Sequence, residues 1–175
     1  RAQKGFLRTL MIRNTLRGEL MVLLQFYKEH EDKRIHLLTF LKERFPSITS
    51  LLYCINNKGN DSLYDQNIFC FYGKNYITEH LGKLQFKITA KSFYQTNPKQ
   101  AETLYAIGMK FANLKGSETV YDLYTGTGTI ALSIANSCAK VVGVESVPEA
   151  IDAAIENATF NKIENTSFEV GDMKD

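Results

Sequence analysis

Asp122, Gly126, Gly128 and Glu145 are the residues of this chain whose types and spacing could do chemistry. The stretch Val120-Tyr-Asp-Leu-Tyr-Thr-Gly-Thr-Gly-Thr-Ile-Ala131 begins as a β-prone apolar run and carries an acid. It then reaches Gly-x-Gly and enters a helical pattern. Glycines at a strand-to-helix turn let the backbone approach a ligand closely and aim free N–H groups at it. Lys140-Val-Val-Gly-Val-Glu145 follows, a short buried-strand pattern whose acid lies 17 residues past Gly128. An acid at the tip of the second parallel strand can accept from both hydroxyls of a ribose. The two signals together describe a site for an adenosine-containing cofactor. The plainer reading is a glycine turn that only lets a helix pack closely on a strand.

The acid in the first strand separates two cofactor classes. Gly126-x-Gly128-x-x-Ala131 satisfies the dinucleotide fingerprint, a weak signal by itself. Asp122 stands four residues before the first glycine and is expected to face the ligand cleft. A pyrophosphate brought into that turn would be repelled by the carboxylate. A cofactor with a cationic ammonium and sulfonium would be attracted. The pattern therefore favours S-adenosylmethionine over NAD.

These residues need a scaffold, and the chain reads as two parts. Residues 6–13 and 19–27 form a hairpin pattern around Asn14–Gly18. Ile35, Leu38, Leu41 and Phe45 recur at helical spacing from Glu31 until Pro46 stops the pattern. Ile48–Asn56, Ile68–Tyr72, Tyr76–His80 and Leu84–Ile88 read as further strands, punctuated by Asn and Gly. Residues 1–90 are thus expected to be an α+β sheet domain. From Asn97 the pattern changes. Asn97-Pro98 opens a helix over Gln100–Leu114. Strand 119–124, helix 128–137, strand 140–145, helix 148–161 and strand 166–170 follow. That is βαβαβ, with connections suited to a parallel sheet of order 3-2-1. The fold class is α/β, with the second domain spanning 91–175.

Composition narrows the class. The chain has 175 residues, 44% of them hydrophobic, enough for one ordinary domain or two small ones. No apolar run approaches membrane-spanning length and no signal peptide is present, so no membrane partner is expected and the cytoplasm is the expected compartment. The three cysteines, Cys54, Cys70 and Cys138, sit in apolar contexts and read as buried free thiols. Their spacing offers no metal site. Residues 1–90 carry 14 Lys/Arg against 8 Asp/Glu, and residues 91–175 carry 7 against 11. The basic half could face a polyanion such as RNA, or simply be a solvated surface.

Ser92-Phe-Tyr-Gln-Thr-Asn-Pro98, between the halves, carries a family resemblance. Ile88-Thr-Ala-Lys-Ser-Phe-Tyr-Gln-Thr-Asn-Pro98 is similar to the Ser-Phe-Phe-Gln-x-Asn hinge of the RNA uracil-5-methyltransferases. Asp122-Leu-Tyr-Thr-Gly-Thr-Gly128 and Gly143-Val-Glu145 follow in matching order. The likeness covers nearly the whole chain. It implies a truncated Rossmann-like S-adenosylmethionine-dependent methyltransferase fold after a central domain, and an enzyme that makes 5-methyluridine in transfer or ribosomal RNA. It also implies roles. Gln95 would hydrogen-bond the methionine portion. Tyr124 and Thr129, with Gly126 and Gly128, would line the turn. Glu145 would hold the ribose hydroxyls, and Asp172 would reach the adenine amine. Plainer readings stand beside these: Gln95 as a helix cap, Tyr124 as core, Asp172 as a loop acid.

The chemistry that the resemblance implies needs a cysteine thiolate that adds to C6 of uracil, so that C5 attacks the methyl group. A carboxylate base then removes the C5 proton. In the family that cysteine lies in Ser-Cys-x-Pro after an Asp-Pro-Pro-Arg loop, and neither string occurs here. Both are expected beyond Asp175, so this chain is expected to be a catalytically incomplete piece that binds cofactor weakly. Two other functions stay open: a non-catalytic RNA- or cofactor-binding module, and a nicotinamide-dependent oxidoreductase. A further expectation concerns association. With no fourth strand beside it, the apolar strand Thr119–Tyr124 should recruit a second copy or be covered by the basic half.

Overall fold

The computed structural model describes residues 5–172 and 174. The chain divides into two compact units, residues 1–78 with 88–91, and residues 79–87 with 92–175.

In the first unit, β1 (Leu7–Asn14) and β2 (Leu20–Phe26) form an antiparallel hairpin. Helix α1 (Glu31–Arg44) returns the chain to β3 (Ser50–Ile55), parallel to β2, and β4 (Phe69–Gly73) closes the sheet in the order β1-β2-β3-β4. β2 is buried along almost its whole length because it has a strand on each side and a helix over it. The stripe that α1 buries is not the expected one. Leu37, Leu38 and Leu41 join the core, whereas Ile35 and Phe45 are exposed. The buried face runs instead through Arg34, whose guanidinium lies 4.5 Å from the centroid of the Tyr53 ring. A long cationic side chain can cover apolar surface while keeping its head polar. Cys54 is buried, but Cys70 is exposed on β4, contrary to expectation, because β4 is an edge strand whose residues are largely solvated.

β5 (Tyr76–Leu81) and β6 (Leu84–Thr89) pair in a two-stranded sheet, of which residues 79–87 belong to the second unit. That unit continues with α2 (Pro98–Ala112), β7 (Thr119–Leu123), α3 (Thr129–Ile134) with a short 3-10 turn after it, β8 (Lys140–Glu145), α4 (Pro148–Phe160) and β9 (Thr166–Val170). β7, β8 and β9 form a parallel sheet in that order, as the βαβαβ pattern requires. Pro98 and Pro148 each open a helix, where a missing N–H costs nothing. One core joins Leu81, Phe86, Ala101, Leu132 and Ala158, and another joins Ala131, Ile134, Ala135, Cys138 and Val141. Among the described residues no helix is long and apolar enough to cross a membrane, and no His/Cys/Asp/Glu group could hold a metal.

Candidate cofactor site

The parallel register sets Asp122 beside Gly143 and Leu123 beside Val144. Both strands then end at the same edge, which brings the turn after β7 next to Glu145 at the end of β8. The amides of Tyr124 and Thr125 both donate to the Val144 carbonyl, at 2.9 and 3.0 Å. This sharp stop forces Tyr124 to φ +99°, a strained value for a bulky residue, and leaves the residue 75% exposed. Tyr124 is therefore not core.

The two turn glycines do different things. Gly126 has φ +54°, and a Cβ added there would meet nothing within 4 Å. Its amide donates to Oε2 of Glu145 at 3.3 Å. Gly128 has φ +82°, and a Cβ there would lie 3.1 Å from the Ala154 Cβ and 3.3 Å from the Phe168 ring. The first glycine faces open space beside a carboxylate. The second faces protein and admits α4 and β9. Gly143 is also a packing glycine, since its Cβ would lie 2.6 Å from Phe168 and 2.9 Å from the Thr125 Oγ1.

Asp122 works inside the turn. Its Oδ2 accepts from the Thr125 hydroxyl at 2.9 Å and from the Ala131 amide at 3.0 Å. The carboxylate thus ties the end of β7 to the first turn of α3. Burial raises its pKa above the ordinary aspartate value, more than these two hydrogen bonds lower it. Asp122 was expected to face the cleft; its bonding oxygen serves the turn instead.

Glu145 is held from both sides. Oε1 accepts from the Val147 amide and the Ser146 hydroxyl, each at 3.1 Å, while Oε2 accepts from Gly126. The Gly171 amide donates to the Glu145 carbonyl at 3.0 Å, so the end of β9 reaches the same edge. Asp172 follows directly; it is exposed, and its Oδ1 accepts from the Lys174 amide. Thr129 opens α3, and its Oγ1 lies 3.3 Å from the Tyr105 hydroxyl. Gln95 stands exposed in the segment before α2. It does not cap that helix: the Asn97 side chain accepts from the Gln100 amide at 3.2 Å. The neighbouring Tyr94 turns inward, its ring 6.1 Å from that of Phe86. Burial and the negative charge of Glu79 push its hydroxyl pKa up. The structure gathers Tyr124, Gly126, Gly128, Thr129 and Glu145 at one turn. Among the described residues no hydrogen bond joins Gln95 or Asp172 to it.

Sequence reasoning missed Asn157, fully buried on α4. Its Nδ2 donates to the Thr127 carbonyl at 3.1 Å. The available signal was an amide on the stripe Ile151, Ala154, Ala158 of an otherwise apolar helix face.

A three-stranded parallel sheet with a glycine turn at the end of its first strand and an acid at the end of its second has the Rossmann-like fold of S-adenosylmethionine-dependent methyltransferases. Residues 114–175 match a family model described as a methyltransferase domain. The chain is 55% identical over 175 residues to an uncharacterized RNA methyltransferase of Porphyromonas gingivalis, matching all of this chain and 38% of that protein. It is 50% identical over 178 residues to one of Bacteroides thetaiotaomicron, again matching all of this chain and 39% of the relative. The chain therefore spans about two fifths of the length of these relatives. Among solved structures it is similar to the Pyrococcus abyssi tRNA (uracil-54, C5)-methyltransferase in complex with S-adenosyl-L-homocysteine. The TM-score is 0.81 at 26% identity, covering 98% of this chain and 41% of that one.

Proposed function

We propose that the second unit binds S-adenosylmethionine and that the chain is part of an RNA methyltransferase acting on C5 of uridine. The observation that carries the cofactor reading is Glu145 with an oxygen 3.3 Å from the Gly126 amide, beside open space, at the ends of adjacent parallel strands. A ribose diol needs a fixed carboxylate, and Val147, Ser146 and Gly126 fix this one. Gly126 lets the ligand lie against the backbone. Tyr124 and Thr129 border the turn, Gln95 serves the methionine portion, and Asp172, one residue beyond Gly171, serves the adenine amine. Asp122 argues against a dinucleotide: a carboxylate already bonded to the first turn of α3 repels a pyrophosphate there. When bound, the cofactor supplies an electrophilic methyl group.

The uridine reading draws support from the relatives named as RNA methyltransferases and from the tRNA (uracil-54, C5)-methyltransferase fold. The hinge residues Ser92–Pro98 add to it, as does the basic first half. A cytoplasmic setting fits an RNA substrate. The thiols described here do not supply the nucleophile. Cys54 is buried and its pKa is raised to about 11 by burial, against the lowering by Arg8 and Lys91. Burial also raises that of Cys138. Cys70 lies on β4, with its thiol donating toward the Tyr72 and Gly73 carbonyls. On this reading the chain alone binds cofactor without methylating RNA.

Calorimetry tests the first step: S-adenosylhomocysteine should bind and NADH should not. Labelled S-adenosylmethionine with uridine-containing RNA tests the second, and no label should reach the RNA. NADH binding in place of S-adenosylhomocysteine would overturn the cofactor assignment. Turnover by this chain would overturn the assignment of the thiols.

A further inference from the structure

We infer that Asn157 is a positioning residue that couples the cofactor turn to strand β6, an inference that rests on the S-adenosylmethionine reading above. Asn157 is fully buried on α4, and both ends of its carboxamide are used. Nδ2 donates to the Thr127 carbonyl at 3.1 Å, and Oδ1 accepts from the Lys87 amide at 2.9 Å. The peptide between Thr127 and Gly128 is thereby held at both ends, because the Gly128 amide donates to the Thr125 carbonyl at 2.9 Å. That peptide plane sets the positive φ of Gly128, and with it the course of the turn from Gly126 into α3.

Asn161, one helical turn further on, shares the β6 contact and lacks the other. Its Oδ1 accepts from the Gln85 amide at 2.9 Å, and its Nδ2 donates to the Gln85 carbonyl at 2.7 Å. Gln85 and Lys87 alternate along β6, so their amides face the same edge of the strand. The other edge pairs with β5. Asn157 of α4 and Asn161, which caps its C-terminal end, thus stand in for a missing strand. The Lys87 side chain is drawn to the same helix, with its ammonium on Glu156 and 5.4 Å from the Phe160 ring centroid. Edge protection alone would need only the contacts to β6. Among the described residues Asn157 alone joins that edge to the Thr127 carbonyl, and a buried amide left without this partner would not hold the turn.

The two asparagines separate coupling from plain stability. Asn161→Ala should lower the denaturant midpoint yet bind S-adenosylhomocysteine within about twofold of the unaltered chain. Asn157→Ala should weaken that binding by about tenfold or more. Asn157→Asp keeps the acceptor for Lys87 and loses the donor to Thr127, and should show the same weakening. In the unaltered chain, saturation with S-adenosylhomocysteine should slow hydrogen exchange at the Lys87 amide, since a ligand that steadies the turn steadies what the turn is tied to. Equal loss of affinity in the Asn157 and Asn161 variants, or an Asn157→Ala chain that binds normally, overturns the inference. If the Asn157 variants do not fold, unchanged Lys87 exchange on ligand binding overturns it instead. Failure of the unaltered chain to bind S-adenosylhomocysteine overturns the cofactor reading, and this inference with it.

Discussion

Replacing Gly126 and Gly128 by alanine, one at a time, should split ligand binding from folding. Both residues have positive φ, so each alanine carries a strain of about 1–2 kcal/mol. Reduced freedom of the unfolded chain offsets about 0.4–1 kcal/mol of that. At Gly126 nothing further is added, since the new Cβ meets no atom within 4 Å. The net loss of stability should be about 0–1.6 kcal/mol. At Gly128 the Cβ lies 3.1 Å from that of Ala154 and 3.3 Å from the Phe168 ring, both fixed in packed elements. Overpacking adds about 1–3 kcal/mol there. The same overpacking applies at Gly143, where the Phe168 ring would lie at 2.6 Å. Affinity should run the other way. The Gly126 methyl enters the space a ligand uses, so Gly126→Ala should weaken S-adenosylhomocysteine by about tenfold or more, equal to about 1.4 kcal/mol. Folded Gly128→Ala leaves that space open and keeps the Thr127 carbonyl bonded to Asn157, so it should lose less. Urea midpoints and calorimetry on the same preparations give both quantities. Gly126→Ala that binds normally, or that unfolds as readily as Gly128→Ala, would refute the division of labour between the two glycines.

Glu145→Ala should weaken S-adenosylhomocysteine by about 1.5–3 kcal/mol, the range for hydrogen bonds to a charged acceptor, and unchanged affinity in calorimetry would count against its role. Asp122→Asn should alter pH dependence. The folded-state pKa of Asp122 is raised by burial, so folding shifts its balance toward the neutral form relative to the unfolded chain. That contribution is complete below the ordinary aspartate value and is lost as pH rises through the raised one. The variant should therefore lack a decline in urea midpoint that the unaltered chain shows as pH rises from that ordinary value, and parallel profiles would contradict the assignment. The exposed edge of β7 should support self-association visible by light scattering. Val120 packs against the core, so Tyr121, 63% exposed, is the place for a lysine that abolishes it. A monodisperse monomer at high concentration sinks that idea.

Order and type of the elements were legible because local signals agreed. Proline at the first position of α2 and α4, alternation in β1 and the apolar run of β8 each name one structure. The face of α1 was not legible. Apolar spacing drew the stripe through Ile35, while the fold lays the largely buried Arg34 side chain with its guanidinium over the Tyr53 ring. A sequence pattern scores arginine as surface, and only the partner ring shows otherwise. Cys70 misled in the opposite sense, because nothing in Phe69-Cys-Phe-Tyr72 says that this strand lies at an edge. The site was legible where spacing along the chain equals spacing across the sheet. Gly126 and Glu145 meet because β7 and β8 are parallel and in register. Asn157 was hidden because its two partners, Lys87 and Thr127, lie 70 and 30 residues away.

The position of Asp122 gives the charge argument a firmer basis than attraction across a cleft. A carboxylate that bonds the Ala131 amide occupies one of the donors that a helix start offers to an anion. Its charge lies in a partly buried place, where the effective dielectric is well below that of water. Two like charges about 5 Å apart at an effective dielectric near 20 repel by about 3 kcal/mol. A pyrophosphate at this turn would meet that cost with a donor already used. The Glu145 carboxylate, fixed by Gly126, Val147 and Ser146, adds negative potential on the other side of the same turn. An uncharged ribose edge suits Glu145, and a cationic amino-acid tail suits the field of both acids. The turn therefore selects by what it repels as much as by what it holds, and a ligand of positive charge at one end and a diol at the other satisfies both acids at once.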